Sequence, residues 1–325
     1  MRGIVLILMI GCAPKVNVEV LEPAAKTLPD HIKKVATLQR EVGSDRLEKG
    51  AAIEAEQALL AVVSRSPRFE VVAITQDQAS QFNALERTLD WSVVDAITSR
   101  VGAQAVIALE SVDSTTGVSE DSSKETYTDD KGKDHITLTW TATRTTAVDT
   151  AWKVYDADND NVVDAFTASA SASWTAQATT AKEARAGLPG DDEGILELAY
   201  EAGEDYGRRI APSWVKVSRV YYPSGSDRMA KAKVAIEAGK LEEAAQLWER
   251  EARGSDGKLS AKAHFNLAVA WEGRGNLRKA IDQVVLADAV LSNSKTRSYL
   301  ALLKERKKAK QTLKGQMAPV RGDEP

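Results

Sequence analysis

A chain of 325 residues is too long for one small core and leads to an expectation of two domains at about 150 residues each. Its balance of 43% hydrophobic and 28% charged residues excludes a disordered chain and a bundle of membrane spans, and its net charge of -4 excludes a general nucleic-acid binder, which needs a basic surface. One cysteine excludes a disulfide framework and any multi-cysteine metal site, while His31, His135 and His264 lie too far apart for a local metal motif, so neither metal nor cofactor is expected.

The chain opens with Arg2 and an apolar run, Gly3 to Gly11, which is the size of a signal-peptide core and far short of the roughly 20 residues that span a bilayer. Its end, Met9-Ile10-Gly11-Cys12, resembles a bacterial lipobox. That resemblance implies a signal peptide over 1–11, removed on export, and lipid on Cys12. Ala13 stands where an aspartate would resemble an inner-membrane retention signal, so the expected location is the cell envelope, at the outer membrane facing the periplasm. Each buried methylene contributes about 0.8 kcal/mol, so two or three acyl chains hold the protein to the membrane. Residues 12–30, with Pro14, Pro23 and Pro29, read as an extended tether.

Residues 31–222 read as an α/β domain. Lys33 to Gln39 is a short strand, and Asp45 with Glu48 starts a helix carrying Ala51, Ala55, Leu59, Val62 and Val63 at helical spacing. Phe69 to Ile74 is a second strand, after which Asp90 caps a helix with Trp91, Val94, Ile97 and Val101 on one face and Gly102 at its end. Ala103 to Leu109, almost wholly apolar, is a third strand covered on both faces. The order is β-α-β-α-β with a parallel core. Ser111 to Asp134 is polar and reads as an exposed loop or irregular hairpin. Beyond it Ile136, Leu138, Trp140, Ala142, Val148, Trp152 and Val154 share one parity, opposite a row of threonines from Thr137 to Thr145. The chain turns at Asp156 to Asn161 and returns through Trp174 as an antiparallel hairpin, so the sheet is mixed. A helix with Ile195, Leu198, Ala202, Tyr206 and Ile210 stops at Pro212, and Trp214 to Val220 reads as a closing strand of this domain.

Strand, helix, Ser66-Pro67-Arg68-Phe69-Glu70-Val71-Val72, helix, Gly102-Ala103-Gln104-Ala105-Val106-Ile107 and the hairpin turning at Asp156 to Val163 together resemble the α/β domain of curli-secretion-channel (CsgG-like) and TolB amino-terminal proteins. Ile32 to Ala36, Tyr206 to Pro212 and Tyr221-Tyr222, with the helical tail, are similar to an uncharacterised lipoprotein family with a tetratricopeptide-type carboxyl terminus. The resemblance implies architecture and envelope location, and it brings no activity with it.

Residues 225–291 carry an internal match. Gly239-Lys240-Leu241-Glu242-Glu243-Ala244 with Trp248 aligns with Gly275-Asn276-Leu277-Arg278-Lys279-Ala280 with Val284, at an offset of about 36, close to the period of a tetratricopeptide (TPR) repeat. Two helical hairpins are expected there, with a capping helix over 292–314 and a disordered tail over 315–325. The fold class expected is thus a mixed-sheet α/β (α+β) domain followed by an all-α helical-repeat domain.

No motif carries chemistry strongly. Asp156-x-Asp158-x-Asp160 imitates a calcium loop but has Asn161 and Thr167 where such a loop places glycine and glutamate, which favours a hairpin turn. Gly187 to Gly194 lacks the Gly-Lys-Ser/Thr of a phosphate loop. The basic run Lys304 to Lys310 reads as a solvated helix face. The inner faces of the first helix of each repeat place Met229, Lys233, Phe265, Asn266 and Val269 where helical repeats line a peptide groove. The expectation is therefore a non-enzymatic scaffold or assembly factor that binds envelope proteins, anchored to the membrane through Cys12. The alternatives are a subunit of a secretion pore, suggested by the long alternating hairpin, and, further off, an envelope hydrolase.

Overall fold

The computed structural model describes residues 14–317 apart from 41, 83 and 85–88. In chain order the elements are β1 (Lys15–Glu22), β2 (Lys34–Leu38), α1 (Arg46–Arg65), β3 (Glu70–Ile74), α2 (Gln76–Gln81), α3 (Trp91–Val101), β4 (Ala105–Thr128), β5 (Asp134–Asp156) and β6 (Asn161–Ala178). There follow α4 (Ala181–Ala186), α5 (Asp191–Ile210), β7 (Ser213–Val220), α6 (Asp227–Glu237), α7 (Leu241–Ala252), α8 (Gly257–Gly273), α9 (Leu277–Leu291) and α10 (Ser294–Gln316). They form two compact units, one of residues 24–213 with those from 316, the other of residues up to 23 with 214–315.

The α/β unit is built on a mixed five-stranded sheet in the order β3-β2-β4-β5-β6, parallel across its first three strands and antiparallel across the rest. Both faces of its parallel part are covered, as the apolar runs require. Helices α1 and α5 pack with Ile107, Leu109, Val148, Trp152 and Val154 in one core, and α3 packs with Ala36, Leu38, Val106 and Tyr155 in the other. Asp45 caps α1 by accepting from the amides of Leu47 and Glu48, and Asp90 caps α3 by accepting from that of Val93. Helix α3 ends at Gly102, whose φ of +66° is the left-handed conformation that favours glycine.

Of the two readings of the polar stretch, loop or irregular hairpin, the structure has the hairpin, and it is regular strand. β4 continues to Thr128 and pairs with β5 as far as Thr128–Asp134, turning through 129–133. The reason it does not announce itself is that most of it is exposed on both faces. Alternation is imposed by burial of one face, and where neither face is buried the sequence has nothing to alternate for.

The helical unit holds the five remaining helices and a two-stranded sheet of β1 and β7. Gly239 and Gly275, the matched glycines of the internal repeat, have φ of +73° and +70° and open the α6–α7 and α8–α9 turns in the same way. Residues 15–22 are not a spacer, because Val16, Val18 and Val20 alternate into the core of this unit. Likewise β7 closes no part of the five-stranded sheet and pairs with β1 instead, so the α/β unit stops at Ser213. Helix α10 also runs past the expected start of the tail, through Gly315 to Gln316. Residues 318–325 lie outside the described residues, as do the signal peptide 1–11 and Cys12.

Candidate binding site in the helical unit

The expected groove residues are brought together but not left open. Met229, Phe265, Asn266 and Val269 are all buried, the three apolar ones in one cluster with Val16, Val18 and Val20 of β1 and with Tyr221. Strand β1 packs on α8, and a side chain at Gly273 would press on Val18. Helix α8 is therefore buried around most of its circumference, as expected for a helix covered on opposite sides. Lys233 alone of the five is exposed, and it pairs with Glu237 at 2.9 Å.

Asn266, expected to face a partner peptide, holds the backbone of its own chain. Its Oδ1 accepts from the Tyr222 amide and its Nδ2 donates to the Tyr222 carbonyl, both at 2.8 Å. The amide thus stands in for a neighbouring strand at the point where β7 has ended, since the Tyr221 amide before it donates to the Pro14 carbonyl. The signal that β1 would fill this place was present as the strict alternation of Val16, Val18 and Val20.

What remains open is a cleft of about 850 Å³ at the other end of β1. Leu21, Trp214, Leu277 and Leu313 give it apolar walls, and charges of both signs lie along it, Glu19, Glu22 and Glu305 beside Arg274 and Lys308. Trp214 is 45% exposed, unusual for a side chain of that size. One wall is fixed by a buried ion cluster. The fully buried carboxylate of Glu272 accepts from Arg219 through two bonds of 2.8 Å, from the Tyr299 hydroxyl at 2.7 Å and from Arg306. Burial by itself would raise the Glu272 pKa, but these donors and charges outweigh it and hold the carboxyl below its ordinary value. Tyr299 moves the other way, well up, because burial and the adjacent carboxylate both disfavour the phenolate. Arg274 is held by two bonds to Glu242 and lies over the Trp271 ring, 4.4 Å from its centroid.

In the α/β unit the turn between β5 and β6 gathers His31, Asp156 and Asp158, whose ligand atoms lie within 4.8 Å of one another. A histidine nitrogen and two carboxylates are a plausible donor set for a divalent ion. Here Asp156 is already engaged, taking His31 Nε2 at 2.9 Å, the Asp158 amide at 3.2 Å and Asn159 Nδ2 at 2.9 Å. Those bonds close the turn from within, with Asp160 at a φ of +47°. The hairpin thus turns where the sequence placed the turn.

Among known proteins, the profile of a family described as a domain of unknown function (DUF8603) matches residues 16–222. A second, also described as a domain of unknown function (DUF6340), matches residues 230–308. No curated protein matches the chain. Among solved structures, a neuraminyllactose-binding hemagglutinin homolog from Helicobacter pylori is 13% identical over 56% of this chain and 84% of its own, with a TM-score of 0.27. So distant a likeness carries no argument about fold or function. Among the described residues no helix is long and apolar enough to cross a membrane.

Proposed function

We propose that this chain, which belongs to the DUF8603 family, is a lipoprotein of the bacterial cell envelope that holds protein partners at the membrane without catalysing a reaction. The reading of its amino terminus rests on the apolar run closed by Met9-Ile10-Gly11-Cys12. The repeated turn glycines and paired helices support a tetratricopeptide-type reading of the second unit, and the β-α-β-α-β order with its antiparallel extension supports a CsgG- and TolB-type reading of the first.

The observation that carries the binding role is the cleft beside Trp214. A large, half-exposed aromatic ring among leucines suits a partner segment that offers an apolar anchor, within a charged rim of both signs. Because β1 begins at Lys15, only Ala13 and Pro14 separate Cys12 from the folded body, roughly 10 Å of chain at full extension. A lipid on Cys12 would thus hold the helical unit close to the bilayer, with no long tether between.

The test is affinity capture from membranes with Trp214→Ala beside the parent. The partner recovered with the parent falls at least tenfold with the variant. Equal recovery with a folded variant removes the cleft from the account. The pore reading is less well supported, because Ile136, Leu138 and Trp140 on β5 stand opposite Thr126, Lys124 and Ser122 on β4. A lipid-facing band has no place for that lysine.

A further inference from the structure

We infer that the free edge of β6 is the interface of a two-fold symmetric dimer, in which β6 pairs antiparallel with β6 of a second copy to make one continuous sheet. The two edges of the five-stranded sheet are unlike. β3, at one edge, has five residues and begins with Glu70, which pairs with Lys34 at 2.8 Å. β6, at the other, has 18, and from Ala165 to Ala178 it contains no charged residue, no proline and no glycine. Its register on β5 runs without a break from Asp164 to Ala178. An edge of that length presents a row of unpaired amides and carbonyls, and folded proteins ordinarily blunt such a row with charges, prolines, bulges or shortness. Beyond the bulge at Val163 and the charge at Asp164, this edge has none of those guards as far as Ala178. Nor does α4 cover it, since Arg185 of that helix reaches inward across the sheet to Glu120 of β4 at 2.8 Å.

The side chains specify the occupant. A two-fold axis normal to the sheet keeps each face on its own side, so facing residues must share parity. The even positions lie under the helices, with Ala168 and Ala170 buried, and the odd positions Thr167, Ser169, Ser171, Ser173 and Thr175 face solvent. The only aromatic residues of β6, Phe166 and Trp174, are both even, and their midpoint is Ala170. An axis at Ala170 sets Phe166 opposite Trp174 of the second copy, and the reverse, giving two aromatic cross-strand pairs with small residues between them. Phe166 is 40% exposed in the single chain, although it stands on the parity that packs under α5, and that pairing would cover it. On the outer face the same axis sets Thr167 opposite Ser173.

That register is testable by charge. The full chain, with Cys12→Ser in every variant so that acylation causes no association, is measured by sedimentation equilibrium, with circular dichroism to confirm folding. The parent is a dimer. Thr167→Lys with Ser173→Lys places like charges opposite each other twice and weakens the dimer at least tenfold. Thr167→Glu with Ser173→Lys places opposite charges there and keeps the dimer at least as tight as the parent. A monomeric parent overturns the inference, and so does a dimer that both double variants leave unchanged or weaken alike.

Discussion

At the scale of single residues, the roles worth testing are those of buried polar groups, whose partners fix the local backbone. Asn266 is fully buried and satisfies both backbone groups of Tyr222. Asn266→Ala leaves an amide and a carbonyl without partners and should cost about 2–4 kcal/mol in urea unfolding. Asn266→Asp should not restore it, because a carboxylate facing the Tyr222 carbonyl repels where the amide donated. Glu272 gives a pH signature. Its folded pKa is depressed, so its contribution is complete above the ordinary glutamate range near pH 4.3 and is lost as pH falls through the lower folded value. Stability measured from pH 6 down to pH 2 should therefore fall less steeply in Glu272→Gln than in the parent. Asn266 was legible in the sequence as a residue lining a peptide groove. That it holds the backbone of its own chain was not, because nothing local to position 266 names the segment that lies against it. Glu272 was illegible for the same reason, since Arg219 comes from β7 and Tyr299 and Arg306 from α10.

At the scale of elements, close approach between α1 and α5 depends on small residues. A Cβ added at Gly203 would sit 2.1 Å from the Ala55 carbonyl oxygen, and one at Gly207 would sit 2.8 Å from Val62 Cβ. Gly203→Ala must push the helices apart and should lower stability by about 1–3 kcal/mol, read as a lower urea midpoint with an unchanged slope. The longer helices were well marked in the sequence, with the caps Asp45 and Asp90 and the turn glycines Gly239 and Gly275 all where local rules place them, while the six-residue α2 and α4 were not read. Strands were marked best where a face is buried. The outer part of β4 read as an exposed loop or irregular hairpin because both its faces meet solvent. β1 shows the opposite failure. Its alternation was visible, but Pro14 and Pro23 on either side of it suggested a spacer, and its partner β7 lies about 200 residues further on.

At the scale of the whole molecule, the two units differ in what they need from distant sequence. The α/β unit is continuous in the chain but for its last residues, and its strand order follows from the order of its elements. The helical unit draws β1 from the far end of the chain, and with it the filling of the groove that the repeat pattern alone leaves open. That substitution moves the candidate site from the inner face of α8 to the cleft at Trp214, and it shortens the reach from Cys12 to the body to about 10 Å. Everything in the proposed role depends on that cysteine carrying lipid. The most direct measurement is therefore the mass of the amino-terminal peptide of the mature protein, taken from fractionated cells. The account predicts a chain that begins at Cys12, carries a diacylglyceryl group and sediments with the membranes. An unacylated chain that retains Met1 and stays in the soluble fraction would contradict it.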